Sequence, residues 1–411
     1  MHYVIIGNSA AGVFAAEAIR SVDSEGQVDI ISDEEYPAYA RCLTSSYLTG
    51  KINDSDLWLR PGDFYTKNNL DLHTGLQVTG INPGQNQLST DKNLTFNYDK
   101  LLIAAGASPA VPKFPGVQAK GIFVLRTLKD AKSILDFAGP GKKIVVVGAG
   151  LVALEACYAL LQADRQVTCI EYADQILPQT LDEDSAAILA RLLSSRGLNI
   201  KTGSLVNEIG THDVDSGKMV SGVRLSSGDS LPADVVLIAV GVLPNIGFLA
   251  KSGINIDSGI VVDNYLQTNL PGIYAAGDVA QGRDRCTGAN KINAVWPNAT
   301  EQGTVAGLNM AGQPTPYEGS ISMNSFDFYG VSIIAAGQAR AEGEGYEVVT
   351  ISPGENLYRR FVFKDDTLAG YIMVGDTGKA GVLTSLIQEK TPLGKMKDML
   401  KQGIIKQKAL W

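Results

Sequence analysis

Tyr3-Val-Ile-Ile-Gly7-Asn-Ser9-Ala10-Ala11-Gly12 is the stretch from which the rest of this 411-residue chain is read. Its first four residues are all β-branched or aromatic, the pattern of a strand buried on both faces of a parallel sheet. Gly7, Ser9 and Gly12 then follow the spacing G-x-S-x-x-G, and Val13 to Arg20 continues as a helix. Gly7 permits a tight turn, the small Ser9 lets backbone approach a pyrophosphate, and Gly12 lets helix and strand pack closely, with Ala10 and Ala11 completing the cradle. One such match is weak. Lys143 to Ala153 repeats the construction as Lys-Ile-Val-Val-Val-Gly148-Ala-Gly150-Leu151-Val152-Ala153, so two dinucleotides are expected on one chain.

Length and composition bound what these two units can belong to. At about 150 residues per domain, the chain holds two or three domains. The hydrophobic fraction of 45% and charged fraction of 19% are those of a globular protein, and the net charge of −8 argues against nucleic acid as a partner. No apolar run reaches the ~18 residues of a membrane span, and Met1-His2 leads straight into the first strand, so a cytoplasmic protein without a signal peptide is expected. Cys42, Cys157, Cys169 and Cys286 form neither a zinc pattern nor a C-x-x-C pair, and His2, His73 and His212 do not cluster. With no metal site in view, the chemistry falls to bound cofactors.

Further along, Gln27 to Ser32 reads as the second strand, followed by Asp33-Glu34-Glu35. An acid about 20 residues past the last fingerprint glycine is placed to hold a ribose; Asp33 is the choice, and the other carboxylates read as a solvated turn. Tyr36 to Gly50 is rich in aromatic and hydroxyl residues, with Arg41 and Cys42 at the start of a short helix over Cys42 to Thr49. A helix start and a neighbouring guanidinium favour a thiolate at Cys42; a small buried inert thiol is the alternative. Leu76 to Ile81 and Phe96 to Tyr98 read as strands of an antiparallel excursion, and the strand after Tyr98 ends in Ala104-Ala105-Gly106, leaving room for a bulky group.

In the second unit the helix runs from Leu151 to Gln162, and the strand Gln166 to Ile170 ends in Glu171. Glu171 would pair with a free adenosine ribose and repel a 2′-phosphate, which favours NADH over NADPH; Ala153 in place of the third glycine points weakly the other way. Asp234 to Val240 is another buried strand, closed by Gly241. A later strand ends in Ala275-Ala-Gly277-Asp278, where a lone carboxylate is placed to accept from a polyol, and a helix from about Asn298 to Asn309 follows. From Thr315 the composition shifts to four antiparallel strands and a helix from Lys379 to Glu389, a third domain.

Gly7-x-Ser9-x-x-Gly12, Tyr98-Asp-Lys-Leu-Leu-Ile-Ala-Ala-Gly106, Gly148-x-Gly150-x-x-Ala153-x-Glu155 and Ala275-Ala-Gly-Asp278 together resemble the FAD-dependent pyridine nucleotide-disulfide oxidoreductase superfamily. The resemblance implies an α/β fold with two Rossmann-like dinucleotide-binding domains, one inserted in the other, plus a C-terminal α+β domain. It implies FAD on residues 1–111 and 245–314, NAD(P)H on 112–244, and a C-terminal domain over 315–411. It further implies that Asp278 binds the ribityl chain, that Val78 meets the adenine through its backbone, and that Glu155 lies near the nicotinamide. The C-x-x-x-x-C pair of glutathione-type and lipoamide-type reductases is missing. Tyr39-Ala-Arg41-Cys42 and Trp296-Pro-Asn-Ala-Thr-Glu-Gln302-Gly303 resemble instead the rubredoxin and ferredoxin reductases and the flavin domain of NADH nitrite reductases. The expected function is transfer of electrons from NADH through flavin to an iron-sulfur or rubredoxin-type protein. The alternative is a single-cysteine NADH oxidase or coenzyme A-disulfide reductase using Cys42, whose spacing to Gly50 fits that branch; a non-catalytic NADH sensor is a third reading. A homodimer is left open.

Lys379, Lys390, Lys395, Lys397, Lys401, Lys406 and Lys408 face only Glu389 and Asp398 in the last stretch, against a chain total of −8. This asymmetry predicts a docking surface for an acidic carrier, with a solvated or amphipathic tail as the bland alternative.

Overall fold

The computed structural model describes residues 1–215 and 217–405. Two compact units account for them. Met1–Cys42, Asp54–Ser108 and Val242–Ile321 form the first; Leu43–Asn53, Pro109–Gly241 and the segment from Ser322 onward form the second.

The first unit is built on a parallel sheet with His2–Ile6 at its centre. Gln27–Ile31 and Asp71–His73 lie to one side, Lys100–Ile103 and Ile273–Ala275 to the other. Val4 and Ile5 are wholly buried, as an apolar run covered on both faces must be. Helix Ala10–Val22 packs on helix Trp296–Met310 with backbones nearly touching: a Cβ on Gly303 would stand 2.2 Å from the Ala11 carbonyl oxygen, and one on Gly307 2.4 Å from that of Ala15. The antiparallel excursion has three strands, Val78–Asn82, Gln87–Thr90 and Thr95–Asn97, rather than the expected two. Gln87-Leu-Ser-Thr is short and mostly polar, and only its register against two neighbours makes it a strand.

In the second unit Lys143–Val147 takes the central place. Gln166–Ile170 and Asn199–Lys201 flank it on one side, Val235–Ile238 and Ile122–Val124 on the other, all parallel. The antiparallel C-terminal sheet runs in the order Met323–Phe328, Val331–Gly337, Thr367–Val374, Leu357–Lys364, Glu347–Gly354. Its first strand was not expected, although Phe326 and Phe328 alternate inward. These rings share one core with Leu154, Cys157 and Leu189 of the parallel-sheet part, and Tyr158 meets Phe328 and Tyr329 edge-on at 5.5 and 4.8 Å. Leu48, just past the short helix Thr44–Tyr47, is buried in the same core.

Two lysines of the lysine-rich stretch have a partner within the fold. Lys397 and Lys401, on helix Lys395–Lys401, bracket Glu347 at 2.9 and 2.5 Å, and Lys397 also donates to the Asp365 carbonyl at 2.7 Å. Glu347 thus offsets one of these two charges from outside the lysine-rich stretch; Lys406 and Lys408 lie outside the described residues. Lys401 first, then Lys397, holds the Glu347 carboxyl below its ordinary range. Charge reversal at Lys397 and Lys401 is therefore expected to lower the melting temperature in the absence of any partner. An unchanged melting curve would show that these two ion pairs add nothing to stability.

Candidate functional site

The first glycine turn admits no side chains where it carries none. Gly7 has φ +115°, and a Cβ there would stand 2.2 Å from the Ala104 carbonyl oxygen; one on Gly12 would stand 1.8 Å from the Gly7 carbonyl oxygen. Ser9 occupies the N-cap of helix Ala10–Val22 in extended conformation, yet its side chain caps nothing. It accepts instead from Arg41 Nε at 3.3 Å. The opening N–H groups at Ala10 to Gly12 thus lack a capping side chain, the state that suits an anion. Two other helices show what a capped start looks like: Thr127 caps Leu128–Phe137 in a capping box, and Asp182 caps Glu183–Ser195. Beside the turn, the amide Nδ2 of buried Asn8 has no partner among the described residues, while its oxygen accepts from Tyr65 at 2.8 Å. The open helix start and this unused donor fit a phosphate-bearing cofactor.

Other predicted residues gather round this turn. Gly277, whose Cβ would stand 3.2 Å from that of Ala11, donates its N–H to Gln302 Oε1 at 2.8 Å, and half-buried Asp278 follows it. Ala105 and Gly106 are held by Asn245, which donates from its side chain to the Ala105 carbonyl and from its backbone to that of Gly106. Trp296 opens its helix half-buried against the core, and Val78 is buried at the start of its strand. Asp33 is exposed at the end of the second strand. Its neighbour Glu34, read from sequence as solvated, instead accepts from the Arg41 guanidinium and from the Tyr39 hydroxyl at 2.7 Å. Arg41 also lies over the Tyr39 ring.

Cys42 follows in the turn Arg41–Leu43 and is exposed, which removes the alternative of a buried thiol. The Arg41 charge expected to activate it is paired with Glu34.

The second turn has its own constraints. Gly148 has φ +102°, and a Cβ there would stand 2.4 Å from the Ala239 carbonyl oxygen. Gly150, by contrast, has open space where its Cβ would be, and it starts helix Leu151–Gln162 without a side-chain cap. Glu171 stands beside it, its carboxylate accepting from Ala149 N at 2.7 Å and Ala173 N at 2.9 Å. Val152 is exposed on the first helical turn, Leu151 is half-buried, and Gly241 is exposed after the strand Val235–Ile238. One turn into the helix, Glu155 accepts from Ser45 Oγ at 2.9 Å. Burial holds its carboxyl above the ordinary range, opposed by that hydrogen bond.

Both turns thus have the shape of dinucleotide cradles, and the model for pyridine nucleotide-disulphide oxidoreductases matches residues 1–303. The chain belongs to the pyridine nucleotide-disulphide oxidoreductase family. Residues 323–391 match the rubredoxin NAD+ reductase C-terminal domain. Among relatives of this family member, the NADH-dependent phenylglyoxylate dehydrogenase subunit epsilon of Aromatoleum evansii is 33% identical over 395 residues, covering 95% of this chain and 92% of the relative. Nitrite reductase [NAD(P)H] of Bacillus subtilis is 32% identical; the match covers 95% of this chain but only 47% of that protein, so the chain spans about half its length. Among solved structures, the covalent putidaredoxin reductase-putidaredoxin complex aligns at TM-score 0.87 and 26% identity, covering 95% of this chain and 94% of the other. The family member is an NAD(P)H-dependent flavin oxidoreductase, related to rubredoxin and ferredoxin reductases, with FAD and NAD(P)H as cofactors. Among the described residues, no helix is long and apolar enough to cross a membrane.

Sequence reading passed over Glu34, Ser45 and Asn245. Gln302 stood within a quoted motif without a role of its own.

Proposed function

We propose that this chain is an NADH-dependent flavoprotein reductase whose electron acceptor is a small iron-sulfur or rubredoxin-type protein. The observation that carries this reading is the match of residues 323–391 to a rubredoxin reductase domain on a chain whose two adjoining cysteines, Cys157 and Cys169, are both buried. An acceptor needing an accessible dithiol is therefore poorly served. FAD, when bound, takes up an electron pair from NADH and releases electrons singly.

In this reading residues 1–111 and 245–314 form the FAD domain, 112–244 the NADH domain and 315–411 the C-terminal domain. Gly7, Ser9, Ala10, Ala11 and Gly12 hold the FAD pyrophosphate, Asp33 its ribose and Val78 its adenine. Ala105, Gly106, Gly277 and Asp278 line the flavin side, with Arg41 and Trp296 closing it. Gly148, Gly150, Leu151 and Val152 hold the NADH pyrophosphate, Gly241 borders that site, and Glu155 serves the nicotinamide.

Glu171 sets coenzyme preference in this account. Its carboxylate is already held against the turn by Ala149 and Ala173, so a 2′-phosphate would meet a fixed negative charge. Glu171→Gln is expected to narrow the NADH-over-NADPH ratio of kcat/KM by about tenfold, the order of one lost charge contact. Equal efficiency with both nucleotides in the unaltered protein would contradict the assignment. A second reading, a single-cysteine NADH oxidase or coenzyme A-disulfide reductase, draws on the exposure of Cys42; it requires a thiolate-to-flavin absorption band that disappears in Cys42→Ser.

A further inference from the structure

The first unit is interrupted after Cys42 by a short excursion, Leu43–Asn53, that belongs to the second unit, and the chain returns at Asp54. The excursion carries helix Thr44–Tyr47, which packs on helix Leu151–Gln162. Leu48 anchors it, wholly buried in the second unit's core. At the contact, buried Ser45 donates its hydroxyl to Glu155 Oε2 at 2.9 Å across 110 positions of sequence. We infer that Ser45 is a positioning residue for Glu155, fixing the rotamer of its carboxylate and favouring its ionised form beside the nicotinamide. The functional half of this inference rests on the proposed role of Glu155.

The surroundings leave that task to Ser45. The titratable groups on the segments packed against the Glu155 helix include Tyr47 on the short helix, Lys143 and Cys169 on the flanking strands, Tyr329 against Tyr158, and Cys157 and Tyr158 on the helix itself. Burial pushes the Glu155 carboxyl up and the Ser45 hydroxyl pulls it down, with burial the larger effect. A neutral donor thus stands where a cation would lock the carboxylate ionised at any working pH. With only a hydroxyl opposing it, burial keeps the Glu155 carboxyl above its ordinary range. An ionised carboxylate favours the positive charge that NADH acquires as it is oxidised, so losing the Ser45 hydrogen bond should cost rate in the neutral range and leave nucleotide affinity largely intact.

The test is infrared titration of the flavin-loaded protein, with the Glu155 carboxyl band identified as the one missing in Glu155→Gln, alongside stopped-flow flavin reduction by NADH over the same pH range. Ser45→Ala is expected to raise the midpoint of that band by about one pH unit, the size of one hydrogen bond to a charged group. The reduction profile should move by the same amount, and Ser45→Thr, which keeps the hydroxyl, should restore both. A midpoint unmoved in Ser45→Ala, or moved equally in Ser45→Thr, overturns the inference. A moved midpoint with reduction by NADH unchanged in Glu155→Gln overturns its functional half, and with it the role of Glu155.

Discussion

Protein carrying Gly12→Ala is expected to purify without flavin. The added methyl would lie 1.8 Å from the Gly7 carbonyl oxygen, far inside any tolerable contact, so the turn or the helix start must shift. The turn cannot shift easily. Gly7 N donates to the Ile31 carbonyl at 2.8 Å, and its own Cα faces the Ala104 carbonyl with no room for retreat. The helix is held from the other side, where Gly303 brings a second helix against the Ala11 carbonyl. The strain therefore falls on the N–H groups of Ala10 to Gly12, the set proposed above to hold the pyrophosphate. Gly150→Ala offers the contrast: with open space at its Cβ, it should keep flavin and structure, yet weaken NADH binding by about tenfold or more as the methyl enters the cradle. Flavin absorbance relative to protein absorbance decides the first case and NADH titration the second. Full flavin occupancy in Gly12→Ala would remove this turn from the FAD site.

Arg360→Ala is expected to be the most destabilising single substitution in the C-terminal sheet. Arg360 is 5% exposed, donates to the Ala339 carbonyl at 3.0 Å, and reaches Asp182 at 3.4 Å and Glu342 at 2.7 Å. Asp182 is itself buried, caps helix Glu183–Ser195, and accepts from Tyr358, whose hydroxyl stays protonated because burial first and Asp182 second push its pKa up. Removing the guanidinium leaves a buried carboxylate without its cation and a carbonyl without its donor, a loss of about 3 kcal/mol. The thermal transition should fall by several degrees, whereas Glu342→Ala, at the exposed end of the same guanidinium, should change it little. Equal melting temperatures for Arg360→Ala and the unaltered protein would show that the network contributes nothing.

The parts of the fold that were readable in the sequence are those whose cause is local. A run such as Val145-Val-Val147 declares a buried parallel strand by composition, and the glycine spacings declare the turns because their backbone demands no distant residue. Ile122–Val124 was missed because three half-buried residues at a sheet edge carry no periodicity, and its place beside Val235–Ile238 is set only by pairing. Within the site, the fingerprint residues were readable, but their supports were not. Three consecutive acids, Asp33 to Glu35, look alike in sequence; only Arg41 and Tyr39, brought round by tertiary packing, single out Glu34. Ser45 and Glu155 were both visible as residues, yet no pattern links positions so far apart. The pairing of Lys397 and Lys401 was hidden for the same reason, since Glu347 meets them from the edge of the C-terminal sheet.

The most direct measurement mixes the NADH-reduced, flavin-loaded protein anaerobically with an oxidised rubredoxin or an acidic iron-sulfur protein. The same reduced protein is mixed separately with dioxygen and with coenzyme A disulfide, each pair repeated in Cys42→Ser. The account predicts that the carrier is reduced faster than either other acceptor, two carriers for each NADH, and that Cys42→Ser leaves this rate unchanged. Reduction of the carrier no faster than that of dioxygen, or its loss in Cys42→Ser, would contradict the claim that electrons leave this protein one at a time to a carrier protein.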